Sequence, residues 1–185
     1  MSELPDARNI PQAKLRPLLD KVRAKVKNHP VVKEMFKEHG VDLKEIDMIP
    51  MCFAKMNVSA QTNHGVIYFN IKLVEDGNFD DDDHYLVHEM THILQQCYGD
   101  HPSKGANDGN YLDNEDEVEG FQKQVEYLAD TRDEEEAEKY IEQVLDHHDV
   151  KDEGEREERK DELMALTRQT RFDELLKLSN NKFAY

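Results

Sequence analysis

The residues most able to do chemistry are His88, Glu89 and His92, which form the pentapeptide His-Glu-Met-Thr-His at positions 88–92. Histidines four positions apart lie on the same face of a helix, within reach of one ion. The glutamate between them projects beside that ion, where it can take a proton from a water molecule that the ion activates. The pattern therefore predicts a metal site with His88 and His92 as ligands and Glu89 as general base.

A helix through these residues would separate an apolar face from a polar one. At about 100° per residue, with His88 at zero, His92 falls at about 40° and Glu89 at about 100°. The apolar residues fall opposite, between about 140° and about 240°: Leu86, Met90, Ile93, Leu94 and Cys97. The sequence thus predicts that one face of the helix, including Cys97, is buried in a core and that the other presents both imidazoles.

The elements that must position this helix are predicted from periodicity and turn residues. Apolar residues at helical spacing predict helices over 11–28, 31–39, 82–98, 114–130, 133–148 and 161–178, with a charged linker or exposed helix at 149–160. Segments 49–58 and 65–71 predict two strands, antiparallel and joined by a turn at 63–65. Residues 100–113 predict a loop. The predicted fold class is α+β, a small antiparallel sheet packed on the 82–98 helix with a mostly helical C-terminal half.

The length of 185 residues suits one domain with a real core. We divide it into N-terminal helices at 1–45, a core at 46–130 and an acidic helical extension at 131–185. Charge is uneven, because residues 1–72 carry a net +4 and residues 73–185 carry −21. An acidic segment repels phosphate, so nucleic acid is not an expected partner.

Other features of the chain indicate where it works. No apolar run approaches the length of about 18 residues that a membrane span needs, and residues 1–6 show no secretory signal. Cys52 and Cys97 form neither a disulfide framework nor a metal knuckle. A cytoplasmic location without membrane contact is the expectation, and the oligomeric state stays open.

The third metal ligand depends on which class of zinc peptidase the chain resembles, because catalytic zinc usually takes three protein ligands. Segment 87–96 looks like the active-site helix of the zincin metallopeptidases. A metzincin would have Gly at 95 and His or Asp at 98, and Gln95 and Tyr98 do not fit that class. His101 is the nearest downstream histidine, but its surroundings match the SprT-like proteases poorly.

The remaining class, the gluzincins, takes a Glu from a second helix. Glu119-Gly120-Phe121 resembles the Glu-Gly-Phe of the alanyl aminopeptidases, in which a small residue after the ligand lets the two helices pack closely. The gap from His92 to Glu119 is closer to that of metallopeptidases of the ImmA/IrrE type. This resemblance covers about residues 65–129 and implies Glu119 as the third ligand.

Helix geometry leaves alternatives to Glu119. It lies about 130° from the centre of the apolar stripe formed by Val118, Phe121, Val125 and Leu128, whereas Glu117 lies about 70° from it. A ligand need not face the centre of the core, since the metal sits at the edge of the helix contact. We prefer Glu119, with Glu117, Glu115 and His101 as alternatives.

Further residues are candidates for supporting roles. Zincin chemistry profits from a side chain that stabilises an oxyanion, and Tyr111, Tyr98 and His101 are the candidates. The resemblance also implies that residues 65–70 form the strand at the edge of the cleft, where an extended substrate adds as another strand. His84 and the pair His147-His148 are expected to face solvent.

The predicted function is zinc-dependent hydrolysis of peptide bonds, with Zn²⁺ held by His88, His92 and Glu119 and a protein or peptide as substrate. The alternative is a binding or assembly protein in which a structural metal ion joins two helices. A fourth protein ligand would favour the alternative, and a coordination position open to water would favour the enzyme.

Overall fold

A computed structural model of the protein describes residues 5–77, 79–98 and 111–182, with side chains described as far as residue 178. It is a mixed α+β structure with eight α-helices and three strands in the described part. The helices are α1 (Gln12–Lys27), α2 (Pro30–Glu38), α3 (Lys72–Glu75), α4 (Asp83–Tyr98), α5 (Glu115–Thr131), α6 (Glu134–His147), α7 (Glu153–Leu163) and α8 (Ala165–Lys182). The strands are β1 (Met51–Ala54), β2 (Ala60–Asn63) and β3 (Val66–Asn70). Short 3-10 turns occupy Leu43–Met48, Phe79–Asp81 and Tyr111–Asp113.

Five of the six predicted helices agree with the observed helices to within one residue at each end, whereas the predicted helix 161–178 spans the end of α7 and most of α8. Segment 149–160, predicted as a linker or exposed helix, contains most of α7. The predicted loop at 100–113 falls largely outside the described residues, and its last three residues form a 3-10 turn. The helix that carries the histidines, α4, begins at Asp83, one residue after the predicted start.

The sheet differs from the prediction in strand number, direction and order. Its order is β1-β3-β2, with β1 parallel to β3 and β2 antiparallel to β3, so it is mixed rather than antiparallel. The turn at His64 and Gly65 joins β2 to β3, because both residues adopt the positive φ that a tight hairpin requires (50° and 75°). Strand β3 is therefore central, and the predicted edge position belongs to β2.

Two groups of buried apolar residues lie on either side of the contact between α4 and α5. The first is built from α1, α2, the sheet and α4, and includes Phe53, Phe69, Leu86 and Met90. The second is built from α5, α6 and α7 and includes Phe121. Helix α5 serves both, because its Tyr127 packs into the first group. No helix in the described ranges is both long and apolar enough to cross a membrane.

Candidate metal centre

Two histidines of α4 face each other across one helical turn. The Nε2 atoms of His88 and His92 are 3.0 Å apart, and the two residues are 6% and 7% exposed. The opposite face of the helix places Leu86, Met90 and Leu94 in the core, as their predicted angular positions around the helix indicate. The sequence therefore predicted correctly that both imidazoles point to the same side.

The first turn of α5 brings a carboxylate to this pair. Glu117 Oε2 lies 3.4 Å from His88 Nε2 and 3.3 Å from His92 Nε2, and the residue is 8% exposed. Asn114 caps the helix by accepting a hydrogen bond from the Asp116 amide (3.0 Å), which fixes where the turn begins. We call His88, His92 and Glu117 the metal cluster.

The spacing of the three atoms fits a small cation. Two ligand atoms that both lie about 2.05 Å from a tetrahedral ion are about 3.3 Å apart. The three observed separations, 3.0, 3.3 and 3.4 Å, are close to that value. Among the side chains that the structure describes, no fourth His, Cys, Asp or Glu joins the group. The described residues thus offer three ligands.

The other predicted third ligands lie elsewhere. Glu119 is two residues beyond Glu117, which turns its side chain about 200° around α5. Its Oε2 accepts a hydrogen bond from Gln95 Nε2 (2.7 Å) instead of facing the histidines. Glu115 is exposed, and His101 falls outside the described residues. The third member of the cluster is therefore Glu117, the runner-up in the sequence prediction, rather than the preferred Glu119.

A glycine allows the close contact between the two helices. A Cβ atom added at Gly120 would lie 3.0 Å from His88 Cε1 and 3.1 Å from its Nδ1. Any side chain at this position would push against the imidazole. The predicted role of the small residue is thus supported, but it stands one turn after Glu117 and not directly after the ligand.

The charges of the metal cluster are strongly coupled. Burial raises the pKa of Glu117, but contact with the two imidazoles outweighs it and holds that pKa well below the ordinary value. Burial lowers the pKa of His92, but the carboxylates of Glu117 and Glu89 raise it to about 9. Without a metal ion, a proton on His92 therefore compensates the buried carboxylate, and an incoming cation would replace that proton.

Unmatched polar atoms provide an independent test of whether a metal ion fits. Glu117 Oε2 and His88 Nδ1 are buried without a hydrogen-bond partner in the described part of the chain. Buried polar atoms in folded proteins are normally satisfied, and this carboxylate oxygen is faced by two imidazole nitrogens at 3.3 and 3.4 Å, which satisfy it only when a ring is protonated; a cation in the same place could take over that role. Two imidazoles and one carboxylate suit Zn²⁺ and other divalent transition metals. The cluster could hold a metal ion, whose identity the residues alone do not specify.

Glu89 lies beside the metal cluster and outside it. It is 6% exposed, and its charge is close enough to His92 to raise the pKa of that imidazole. The Thr62 hydroxyl on β2 donates to Glu89 Oε2 (2.8 Å) and also lies 3.1 Å from the Glu89 carbonyl oxygen. The edge strand thus fixes the carboxylate, a contact that sequence reasoning missed because the Ala-Gln-Thr-Asn of β2 carries little strand signal.

The three candidates for oxyanion stabilisation separate clearly. Burial, together with the nearby carboxylate of Glu117, raises the pKa of the Tyr111 phenol far above the ordinary value. The ring of His148 stacks on Tyr111 with centroids 4.8 Å apart. Tyr98 is 46% exposed and donates to Glu45 instead. Tyr111 is the candidate that the structure places at the cluster, while His101 lies outside the described residues.

Three further sequence expectations need correction. His84, expected in solvent, is 6% exposed because α5 covers this face of α4, and Gln124 Nε2 donates to its Nδ1 (2.6 Å). His148 is half-buried against Tyr111, although His147 is exposed as expected. Cys97, expected in the core, is exposed, as are its neighbours Gln96 and Tyr98 at the end of α4.

Comparison of the chain with protein-family models, with curated proteins and with solved structures gives no match in any of the three. The resemblance to the zincins is therefore carried by the His-Glu-x-x-His helix and the buried metal cluster alone. Function must be argued from the geometry of these residues.

Proposed function

We propose that the protein is a zinc-dependent metallopeptidase with a gluzincin-like ligand set of His88, His92 and Glu117. The observation that carries the proposal is a second buried carboxylate, Glu89, beside three convergent ligand atoms but not among them. A structural site needs only ligands, whereas hydrolysis also needs a base within reach. The sequence motif and the geometry thus support the same roles for His88, Glu89 and His92.

In this proposal the residues of the chain divide the work. His88, His92 and Glu117 hold the ion, which when bound lowers the pKa of a water molecule and polarises a carbonyl oxygen. Glu89 accepts the proton of the attacking water and passes it to the leaving amine. Thr62 keeps the Glu89 carboxylate in place by its 2.8 Å hydrogen bond. Tyr111 is the side chain best placed to donate to a developing oxyanion.

The substrate we propose is a protein or peptide in extended conformation. Strand β2 lies at an edge of the sheet and carries Thr62, so a strand added there would pass next to Glu89. The strongly negative segment 73–185 supplies both α4 and α5, which argues against nucleic acid as substrate.

Replacing Glu89 with Gln tests the proposal. We expect the purified protein loaded with Zn²⁺ to cleave members of a fluorogenic peptide library and to lose this activity reversibly with a chelator. The Glu89→Gln variant should bind Zn²⁺ with unchanged affinity but turn over at least about a thousandfold more slowly, because it lacks the base. The exposed Glu115→Gln is the matched control and should retain activity. Full activity in Glu89→Gln would exclude this mechanism.

A structural metal site is the second candidate, favoured by the depth of the cluster. All three residues are less than a tenth exposed, and they connect α4 to α5 between the two halves of the core. Such a site would stabilise the fold without turnover. X-ray absorption of the Zn²⁺-loaded protein distinguishes the two, because a structural ion is expected to take four protein ligands and a catalytic one three.

A further inference from the structure

Gln95 connects His92 to the first turn of α5 through three hydrogen bonds. Its Oε1 lies 2.9 Å from His92 Nδ1. Its Nε2 donates to Glu119 Oε2 (2.7 Å) and to the Asp116 carbonyl oxygen (3.1 Å). The residue is 7% exposed, so these contacts are largely shielded from water.

The partners of Gln95 decide which way its amide points. A carboxylate and a backbone carbonyl can only accept hydrogen bonds, so both require the NH₂ group of the amide. Turning the amide over would set its oxygen against two other oxygens in a buried place. Glu119 and the Asp116 carbonyl therefore hold the Gln95 oxygen towards His92.

The same logic extends to the imidazole. An amide oxygen only accepts, so His92 Nδ1 must carry a hydrogen atom. A neutral imidazole carries one N–H, which leaves the lone pair on Nε2, the atom that faces His88 and Glu117. Metal-binding histidines commonly donate their second nitrogen to an acceptor of this kind.

We propose that Glu119 is a positioning residue that, through Gln95, holds His92 in the form whose Nε2 is free to bind a metal ion. The carboxylate that the Glu-Gly-Phe motif suggested as a ligand thus acts one step behind the ligand. His88 Nδ1 has no such partner among the described residues. The chain of hydrogen bonds from Glu119 through Gln95, which we call the relay, therefore orients His92 and not His88. The inference rests on the metal-binding part of the proposed function and not on peptide hydrolysis.

The first experiment separates this role from a general effect of negative charge. Zn²⁺ affinity is measured by competition with a chromophoric chelator for the wild type, Glu119→Gln and Glu115→Gln. A glutamine at 119 presents an oxygen or an NH₂ group equally well, so the Asp116 carbonyl alone is left to fix the orientation of the Gln95 amide. We expect Glu119→Gln to bind Zn²⁺ about tenfold more weakly. Glu115→Gln removes the same charge from an exposed position of the same turn and should change affinity less than about twofold.

The second experiment exchanges the two side chains. In the double variant Gln95→Glu/Glu119→Gln, the carboxylate at 95 accepts from His92 Nδ1 and from the amide at 119, while the Asp116 carbonyl loses the donor that Gln95 supplied. Net charge equals that of the wild type. We expect Zn²⁺ affinity to return to within about threefold of the wild type, a recovery that a loss of packing at 119 would not show.

Two outcomes would contradict the proposed role of Glu119. Equal losses in Glu119→Gln and Glu115→Gln, or no recovery in the exchanged variant, would overturn the inference. If Glu119→Gln does not fold, as judged by circular dichroism, the exchanged variant alone decides by its affinity. The proposed function is tested separately. If the variants change Zn²⁺ affinity as expected but no peptide is cleaved, the peptidase function is rejected, whereas the role of Glu119 and Gln95 in orienting His92 still holds.

Discussion

Helix α4 carries two buried polar groups of opposite character, one at its start and one in its middle. At the start, Asp83 is 2% exposed and is met by Lys25 Nζ at 2.5 Å and by the Tyr127 hydroxyl at 2.6 Å. Arg132 adds a longer contact at 3.8 Å. In the middle lies the metal cluster, whose three ligand atoms crowd together within 3.4 Å.

The two groups differ in how the charge of the buried carboxylate is compensated. The Asp83 carboxylate is surrounded by donors from α1 and α5, so its charge is compensated by the protein itself. In the metal cluster, Glu117 Oε2 has no hydrogen-bond partner in the described residues, and the nearest groups that could compensate its charge are the two imidazoles, at 3.3 and 3.4 Å. The first group is complete without a ligand, whereas the second could hold a cation.

The largest expected effect follows from removing a ligand. His88→Ala should lower Zn²⁺ affinity about a thousandfold or more, because two remaining ligands cannot replace the third. Isothermal titration with Zn²⁺, with competing chelator for the wild type, measures the change. Wild-type affinity in His88→Ala would mean that the ion binds elsewhere, and the comparison between the two groups would lose its basis.

Removing the Asp83 carboxylate should lower the stability of the fold and leave Zn²⁺ affinity nearly unchanged. Asp83→Ala leaves the Tyr127 hydroxyl buried without an acceptor and separates Lys25 from its partner. We expect the free energy of unfolding to fall by about 2 kcal/mol, a value reduced because Lys25 is half exposed. Zn²⁺ affinity should stay within about threefold. Urea denaturation measures the first quantity, and Asp81→Ala, on the exposed part of the same acidic run, is the control.

The sequence predicted most of the helices but fewer of the contacts between them. Periodicity located the long helices, because each buries one apolar face. Periodicity could not show that α5 covers the face of α4 that carries His84. The angular positions of residues around one helix contain no information on which element packs against that helix. The strand β2 was missed for a different reason. Its residues have low strand propensity, and its pairing follows from the positive φ of His64 and Gly65 in the turn.

The third ligand shows how two kinds of reasoning can conflict. The angle of Glu117 relative to the apolar stripe favoured it over Glu119, whereas the Glu-Gly-Phe motif favoured Glu119. The structure brings Glu117 to the histidines. The physical meaning of the motif survives, because Gly120 does allow α5 to approach His88. What does not carry over is the register between the glycine and the ligand, which depends on how the helices cross.

A substitution at Gly120 tests this close approach. In Gly120→Ala the new Cβ would lie 3.0 Å from His88 Cε1, so the ring must move away from its place in the cluster. We expect Zn²⁺ affinity to fall about tenfold, as for other changes around metal ligands. Gly154→Ala, in the first turn of α7, controls for the helix propensity that alanine adds. Equal affinities in the two variants would show that His88 can shift without loss.

The smallest expected effect concerns His84, which lies between the two polar groups. Its pKa is lowered by its surroundings, whereas that of His92 is raised. Burial, assisted by the charge of Arg132, lowers the pKa of His84 to about 3, and the Gln124 amide donates to its neutral ring. The unfolded chain takes up a proton near the ordinary pKa of about 6.5, whereas the folded protein does not. Stability from this residue is therefore complete above pH 6.5 and is lost as the pH falls towards 3.

Between pH 7 and pH 5.5 this difference amounts to about 1 kcal/mol. Urea denaturation of the metal-free protein and of His84→Gln at both pH values measures it, because the other titrating groups are the same in both chains. The stability advantage of the wild type over His84→Gln should shrink by that amount at the lower pH. A constant advantage would mean that His84 takes up a proton in the folded state, and that this part of α4 is more open to water than its burial indicates.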